Sequence, residues 1–176
     1  MERRNVTTGV FLEHLTAEKA IEELSASGFD LGKLSLIGLD SPHGAHVSGL
    51  YRIGEQLRAC GKLEAFWQGL SRQFSASASF FVPGIGHVML FGPIVELILS
   101  ALERELVVGG LSAVGAALFS IGIPKECTSR YEAALREGHF LVMAEGTADE
   151  AEEARRILNA TSENDAVVYH STVPGS

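Results

Sequence analysis

The sequence has little cysteine and little positive charge. Its only cysteines, Cys60 and Cys127, are 67 positions apart and neither has a CxxC partner. That excludes a disulfide framework and fits free thiols in a reducing compartment. Fourteen Lys and Arg stand against 22 Asp and Glu, for a formal charge of −8. A nucleic-acid binder would carry a basic face, so nucleic acid is not an expected partner. Met1-Glu2-Arg3-Arg4 runs straight into Asn5-Val6-Thr7-Thr8 without an apolar core segment, so no signal peptide and a cytoplasmic chain are expected. The phosphate-loop lysine, the dinucleotide glycine spacing, the nucleophile elbow and the HExxH helix are also missing. No catalytic residue and no cofactor are therefore expected.

What is present is apolar. The 46% apolar content is far above that of a disordered chain. It is unevenly spread. Residues 1–49 carry a net −3, residues 125–176 a net −5, and residues 50–124 none. That neutral middle holds ten of the 19 glycines. The division predicts two acidic halves of one α/β sheet domain, 1–49 and 125–176, around an apolar insertion at 50–124.

The ends alternate between strand and helix patterns. Val6–Leu12 reads as a strand, and Thr16 is an N-cap candidate for a helix over Ala17–Ser25. Ala17, Ala20, Ile21 and Leu24 form its apolar stripe. Ser27-Gly28 should end it, and Leu34–Leu39 reads as a second strand. Pro124 opens a later helix with Tyr131, Ala134 and Leu135 inward, closed by Gly138. His139–Ala144 is a strand. Thr147 with Glu150 is a capping box, ahead of a stripe of Ala151, Ala154, Ile157 and Leu158. Ala166–His170 is the last strand. The predicted class is α+β: a ferredoxin-like split-βαβ antiparallel sheet with a long glycine- and alanine-rich helical insertion.

The middle permits two readings. Gly49–Arg72 has helical apolar spacing. Over Ser75–Gly92, Pro83-Gly84-Ile85-Gly86 reads as a bend where helices cross closely, with glycine permitting the approach. Pro93–Val107 restarts as a helix, and Leu106–Ile121 follows. Phe80–Ile98 and Leu106–Ile123 would each be flagged as a membrane span. A hairpin over residues 80–123 would then hold the chain at the cytoplasmic face of the inner membrane. Against this, Glu96, Ser100, Glu103 and Arg104 make one wet helix face. Glu96 alone would cost about 2.5–3.5 kcal/mol near a bilayer centre. The soluble reading leaves Leu106–Ile121 apolar nearly all round and in need of cover. It predicts a homo-oligomer through residues 75–122.

Several strings carry a family resemblance. They are Tyr51-Arg52-Ile53-Gly54-Glu55, Ala65-Phe66-Trp67-Gln68-Gly69, Phe81-Val82-Pro83-Gly84-Ile85-Gly86, Gly92-Pro93 and Val108-Gly109-Gly110-Leu111-Ser112-Ala113. The longest is Ser120-Ile121-Gly122-Ile123-Pro124-Lys125, followed by Tyr131-Glu132. Together they resemble bacterial proteins related to the general stress protein 17M-like family. The resemblance implies an α/β domain with a glycine- and alanine-rich helical insertion, and it brings no catalytic residues.

The interface and structural candidates are Trp67, Pro83, Gly84, Gly86, His87, Gly92, Pro93, Gly109, Gly110, Gly115, Gly122, Pro124 and Tyr131. His87 should be buried and hydrogen-bonded, or a pH-sensitive interface group. His43 and His46 fall short of the three or four ligands of a zinc site, so no metal is expected. Cys127 lies in a first helical turn, where the dipole favours thiolate. The leading expectation is a non-enzymatic, stress-associated protein that assembles with itself. A membrane-anchored protein and a small-molecule sensor are the alternatives.

Overall fold

A computed structural model describes residues 5–39, 65–74, 76–103, 112–161 and 166–170. In chain order the elements are β1 (Asn5–Phe11), α1 (His14–Ala26), a 3-10 turn (Leu31–Lys33) and β2 (Leu34–Leu39). Residues 65–73 are helical and are called α2. Then come β3 (Ser77–Val82), β4 (Gly86–Phe91), α3 (Ile94–Glu103), α4 (Ala113–Ser120), α5 (Lys125–Arg136), β5 (Phe140–Gly146), α6 (Ala148–Thr161) and β6 (Val167–His170).

The strands form one six-stranded sheet in the order β3-β4-β2-β5-β1-β6, every neighbouring pair antiparallel. Strands from both ends of the chain share it, as the patterns at the ends require. β5 lies between β1 and β2, which α1 connects. β1 lies between β5 and β6, which α6 connects.

Both faces of the sheet are covered. On one face, Phe11, Leu34, Leu36, Phe91, Phe140 and Val142 pack with residues of α1, α2 and α6. On the other, Val6, Ile37, Val88, Leu90, Leu141 and Met143 pack with residues of α3, α4 and α5. The central strands are therefore buried at nearly every position rather than at alternate ones.

The ends fold close to their sequence pattern. Ala17, Ala20, Ile21 and Leu24 are the buried residues of α1. Gly28 and Gly138 follow their helices at φ +91° and +88°. Thr147 Oγ1 accepts from the Glu150 N–H at 3.3 Å. The Glu150 carboxylate reaches across to Lys33 Nζ, 2.9 Å away. Thr16 is not the N-cap of α1. Glu13 is, and the Thr16 hydroxyl donates to the Glu13 carbonyl inside the first turn.

The middle departs from expectation. Residues 77–91 are a β-hairpin, not crossing helices, and Pro83-Gly84-Ile85 is its three-residue turn. Gly84 (φ +87°) and Gly86 (φ +126°) supply the backbone that such a turn needs. The stretch Phe80–Ile98 is thus strand, turn, strand and helix rather than a membrane span. Among the described residues no helix is long and apolar enough to cross a membrane. Of the expected helix over Leu106–Ile121, Ala113–Ser120 is helical and is continued by a turn at Ile121. Residues 106–111 lie outside the described residues, as do 49–64 of the expected Gly49–Arg72 helix. Val114, Ala116, Ala117 and Leu118 are buried by the chain itself. Much of the cover that α4 needed comes from α3, α5 and the sheet.

Gly92 joins β4 to α3 at φ +86°, and a Cβ there would stand 2.0 Å from the Leu34 carbonyl oxygen. The clash is with the backbone of the neighbouring strand, which cannot rotate away. At Gly28, by contrast, a Cβ would meet nothing within 4 Å. Gly92→Ala should lose about 3 kcal/mol or more in chemical denaturation. Gly28→Ala should lose about 1 kcal/mol, the cost of positive φ alone. Equal losses would show that the β2–β4 approach is not the constraint.

Candidate functional site

The singled-out residues take separate places. Trp67 lies in an aromatic cluster, stacked on Phe91 at 5.7 Å and tilted against Phe66 and Phe140. Among the described residues its buried Nε1 has no hydrogen-bond partner. Pro83, Gly84 and Gly86 make the hairpin turn. Gly92 and Pro93 lead into α3, whose first N–H donates to Ser35 Oγ at 3.2 Å. Gly115 N–H donates to Ser112 Oγ at the start of α4, and Gly122 ends that helix at φ +109°. Pro124 is the N-cap of α5. Gly109 and Gly110 lie outside the described residues, as do His43, His46 and Cys60.

His87 is exposed on β4 rather than buried. Its ring nitrogens lie 3.1 and 3.2 Å from Ser79 Oγ on β3. Because Val88 and Leu90 pack under the insertion helices, His87 and its cross-strand partner Phe81 point to the opposite face.

Tyr131 packs its ring on the sheet, as expected, and its hydroxyl does more. It lies 2.6 Å from Thr8 Oγ1 on β1 and 2.6 Å from the Tyr169 hydroxyl on β6. The result is a buried chain of three hydroxyls tying α5 to two strands. The Arg130 guanidinium carbon stands 5.7 Å from the Tyr131 ring centroid. Half-buried Cys127 borders the Tyr169 phenol. Burial first, and the bond to Tyr131 second, push the Tyr169 phenol far above its usual range. The phenol is therefore neutral at physiological pH, and the chain ties α5 to β1 and β6 through hydroxyl hydrogen bonds. Thr8 and Tyr169 were not singled out from sequence, since neither sits in a motif.

The second feature is an edge. β3 ends the sheet, and no strand among the described residues pairs with its outer side. Ser77–Val82 holds no charge and no proline. Phe81 on it is 67% exposed. The Arg136 Nε–H donates to the Gly84 carbonyl at 2.6 Å, which fastens the hairpin turn to α5. A shallow cleft of about 360 Å³ opens nearby, between Leu31, Phe74, Pro93 and Glu96. Among the described residues Glu96 is its one charged lining residue.

No protein-family model matches the chain, and neither a curated protein nor a solved structure matches it.

Tyr169→Phe tests the tie. It should cost about 1 kcal/mol at neutral pH, one buried hydrogen bond. The pH dependence has a definite sign. A phenol raised in the folded state gives its full contribution below the unfolded value of about 10 and loses it as pH rises further. Urea unfolding from neutral pH to about pH 11 should show wild-type stability falling along the alkaline limb. The variant's fall should be shallower, and an identical fall would mean that Tyr169 is not the group responsible.

Proposed function

We propose that the protein is a non-enzymatic, stress-associated protein that assembles with itself through residues 75–122. The core is a ferredoxin-like split-βαβ sheet, a reading supported by the order β6-β1-β5-β2 and by the helices joining β1 to β2 and β5 to β6. The stress-associated setting rests on the resemblance to the general stress protein 17M-like group.

One observation carries the assembly reading. The described residues expose five large hydrophobic side chains, and three of them, Phe81, Leu99 and Phe119, belong to residues 75–122. The insertion turns one apolar side to the sheet and still presents apolar groups outward. Phe81 lies on the sheet face opposite α3 and α4, so the three do not form one patch; Phe81, 67% exposed on the edge strand β3, is the most exposed of them. The assembly reading is therefore carried by Phe81 on the edge strand β3 and not by the buried side of α4.

Light scattering on detergent-free protein, across a wide concentration range, should give at least twice the 18.8 kDa chain mass. A monodisperse monomer throughout would overturn the proposal.

A further inference from the structure

We infer that β3 is a self-pairing edge: two copies join β3 to β3 antiparallel about a two-fold axis at Ser79, giving one continuous sheet. This rests on the self-assembly reading and names the surface that performs it.

Backbone geometry points first to a strand as the occupant. The Gly92 N–H donates to the Ala76 carbonyl at 3.0 Å. Ladder bonds alternate in an antiparallel pair, so Ala76, Ala78, Phe80 and Val82 turn their backbone groups toward β4. Ser77, Ser79 and Phe81 turn theirs to the open side. Donors and acceptors at alternate residues are matched by another extended chain.

Side-chain sizes then point to a second copy of the same strand. The run is Ala76-Ser77-Ala78-Ser79-Phe80-Phe81-Val82, small on one side of Ser79 and large on the other. With the axis at Ser79, Phe81 faces the partner's Ser77, Phe80 faces the partner's Ala78, and Val82 faces the partner's Ala76. Every bulky side chain meets a small one. All three outward residues also fall into hydrogen-bonded pairs. A shift that puts the axis at Phe80 sets ring against ring and leaves Ser77 opposite Pro83, which has no N–H to donate.

Charge agrees. A symmetric pair sets a residue on the axis against itself, so a charge there would meet its like. In a chain of net −8, Ser77–Val82 carries none. Nor does this edge have the lysine, proline or shortness that protects edge strands from pairing. β6, at the other edge, is only four residues long. The Ser79 hydroxyl is held by His87 on the sheet face, leaving its backbone groups for the partner.

The test is disulfide trapping in full-length protein carrying Cys60→Ser and Cys127→Ser. Residues in a hydrogen-bonded antiparallel pair have Cα atoms about 5.5 Å apart, within disulfide range. Ser79→Cys should give a covalent dimer under mild oxidation. Ser77→Cys, displaced from its own copy by four residues along the strand, should not. Phe81→Lys should convert the assembly to monomer by light scattering, with circular dichroism unchanged and thermal unfolding no longer dependent on protein concentration. If wild-type protein associates but Ser79→Cys links no better than Ser77→Cys, β3 pairing is wrong and self-assembly stands. If wild-type protein is monomeric, both fail.

Discussion

The central strands are apolar on both sides, and the rest of the architecture answers to that. In β5, Phe140, Val142 and Ala144 face α1, α2 and α6, while Leu141 and Met143 face α3, α4 and α5. Burying a large apolar side chain is worth about 1.5–3 kcal/mol. Uncovering Val6, Ile37, Val88, Leu90, Leu141 and Met143 together would forfeit on the order of 10 kcal/mol. The net stability of a whole domain is about 5–15 kcal/mol. The insertion is thus no appendage on a finished sheet, since the sheet needs it as a second cover.

The dependence runs both ways, and it explains the uneven composition. α4 is short and rich in small residues, Ala113-Val114-Gly115-Ala116-Ala117. Small side chains let it lie close to α3 and α5, with Val114 and Leu118 fully buried. A helix enclosed in this way has little use for charge. The charges gather where helices have a wet side, as at Glu152, Glu153, Arg155 and Arg156 on α6, which pair along the helix surface. The neutral middle and the acidic ends reflect enclosure and exposure.

The same contrast decided what could be read from sequence. The helices of the ends have one wet and one dry side, so α1 and α6 show clear stripes, and α1 and α5 show their glycine stops. The β3–β4 hairpin shows no such signal. Phe80-Phe81-Val82 and Val88-Met89-Leu90-Phe91 are short apolar runs, which fit a buried strand and a buried helix equally. Pro83-Gly84-Ile85-Gly86 reads as a bend between helices just as well as a hairpin turn, because a breaker marks a turn without saying what it joins. The hydroxyl chain was less legible still. Tyr131 lies 123 positions from Thr8 and 38 from Tyr169, so only the packing of α5 across β1 and β6 brings them together.

By adding a hairpin to the β2 side, the insertion also moves the edge of the sheet. β4 pairs with β2 and β3 with β4, so the outermost strand belongs to the insertion rather than to the ends. That strand is held at its turn, where Arg136 grips the Gly84 carbonyl and where Glu132, buried on the same helix, stands 3.8 Å from the Arg136 guanidinium. Holding an edge in strand geometry lowers the entropy lost when another strand pairs with it. A loose, charged or very short edge would resist addition; this one is anchored, uncharged and six residues long. One device therefore has two results: the insertion covers the second face of the sheet, and its hairpin supplies the outermost strand on the β2 side.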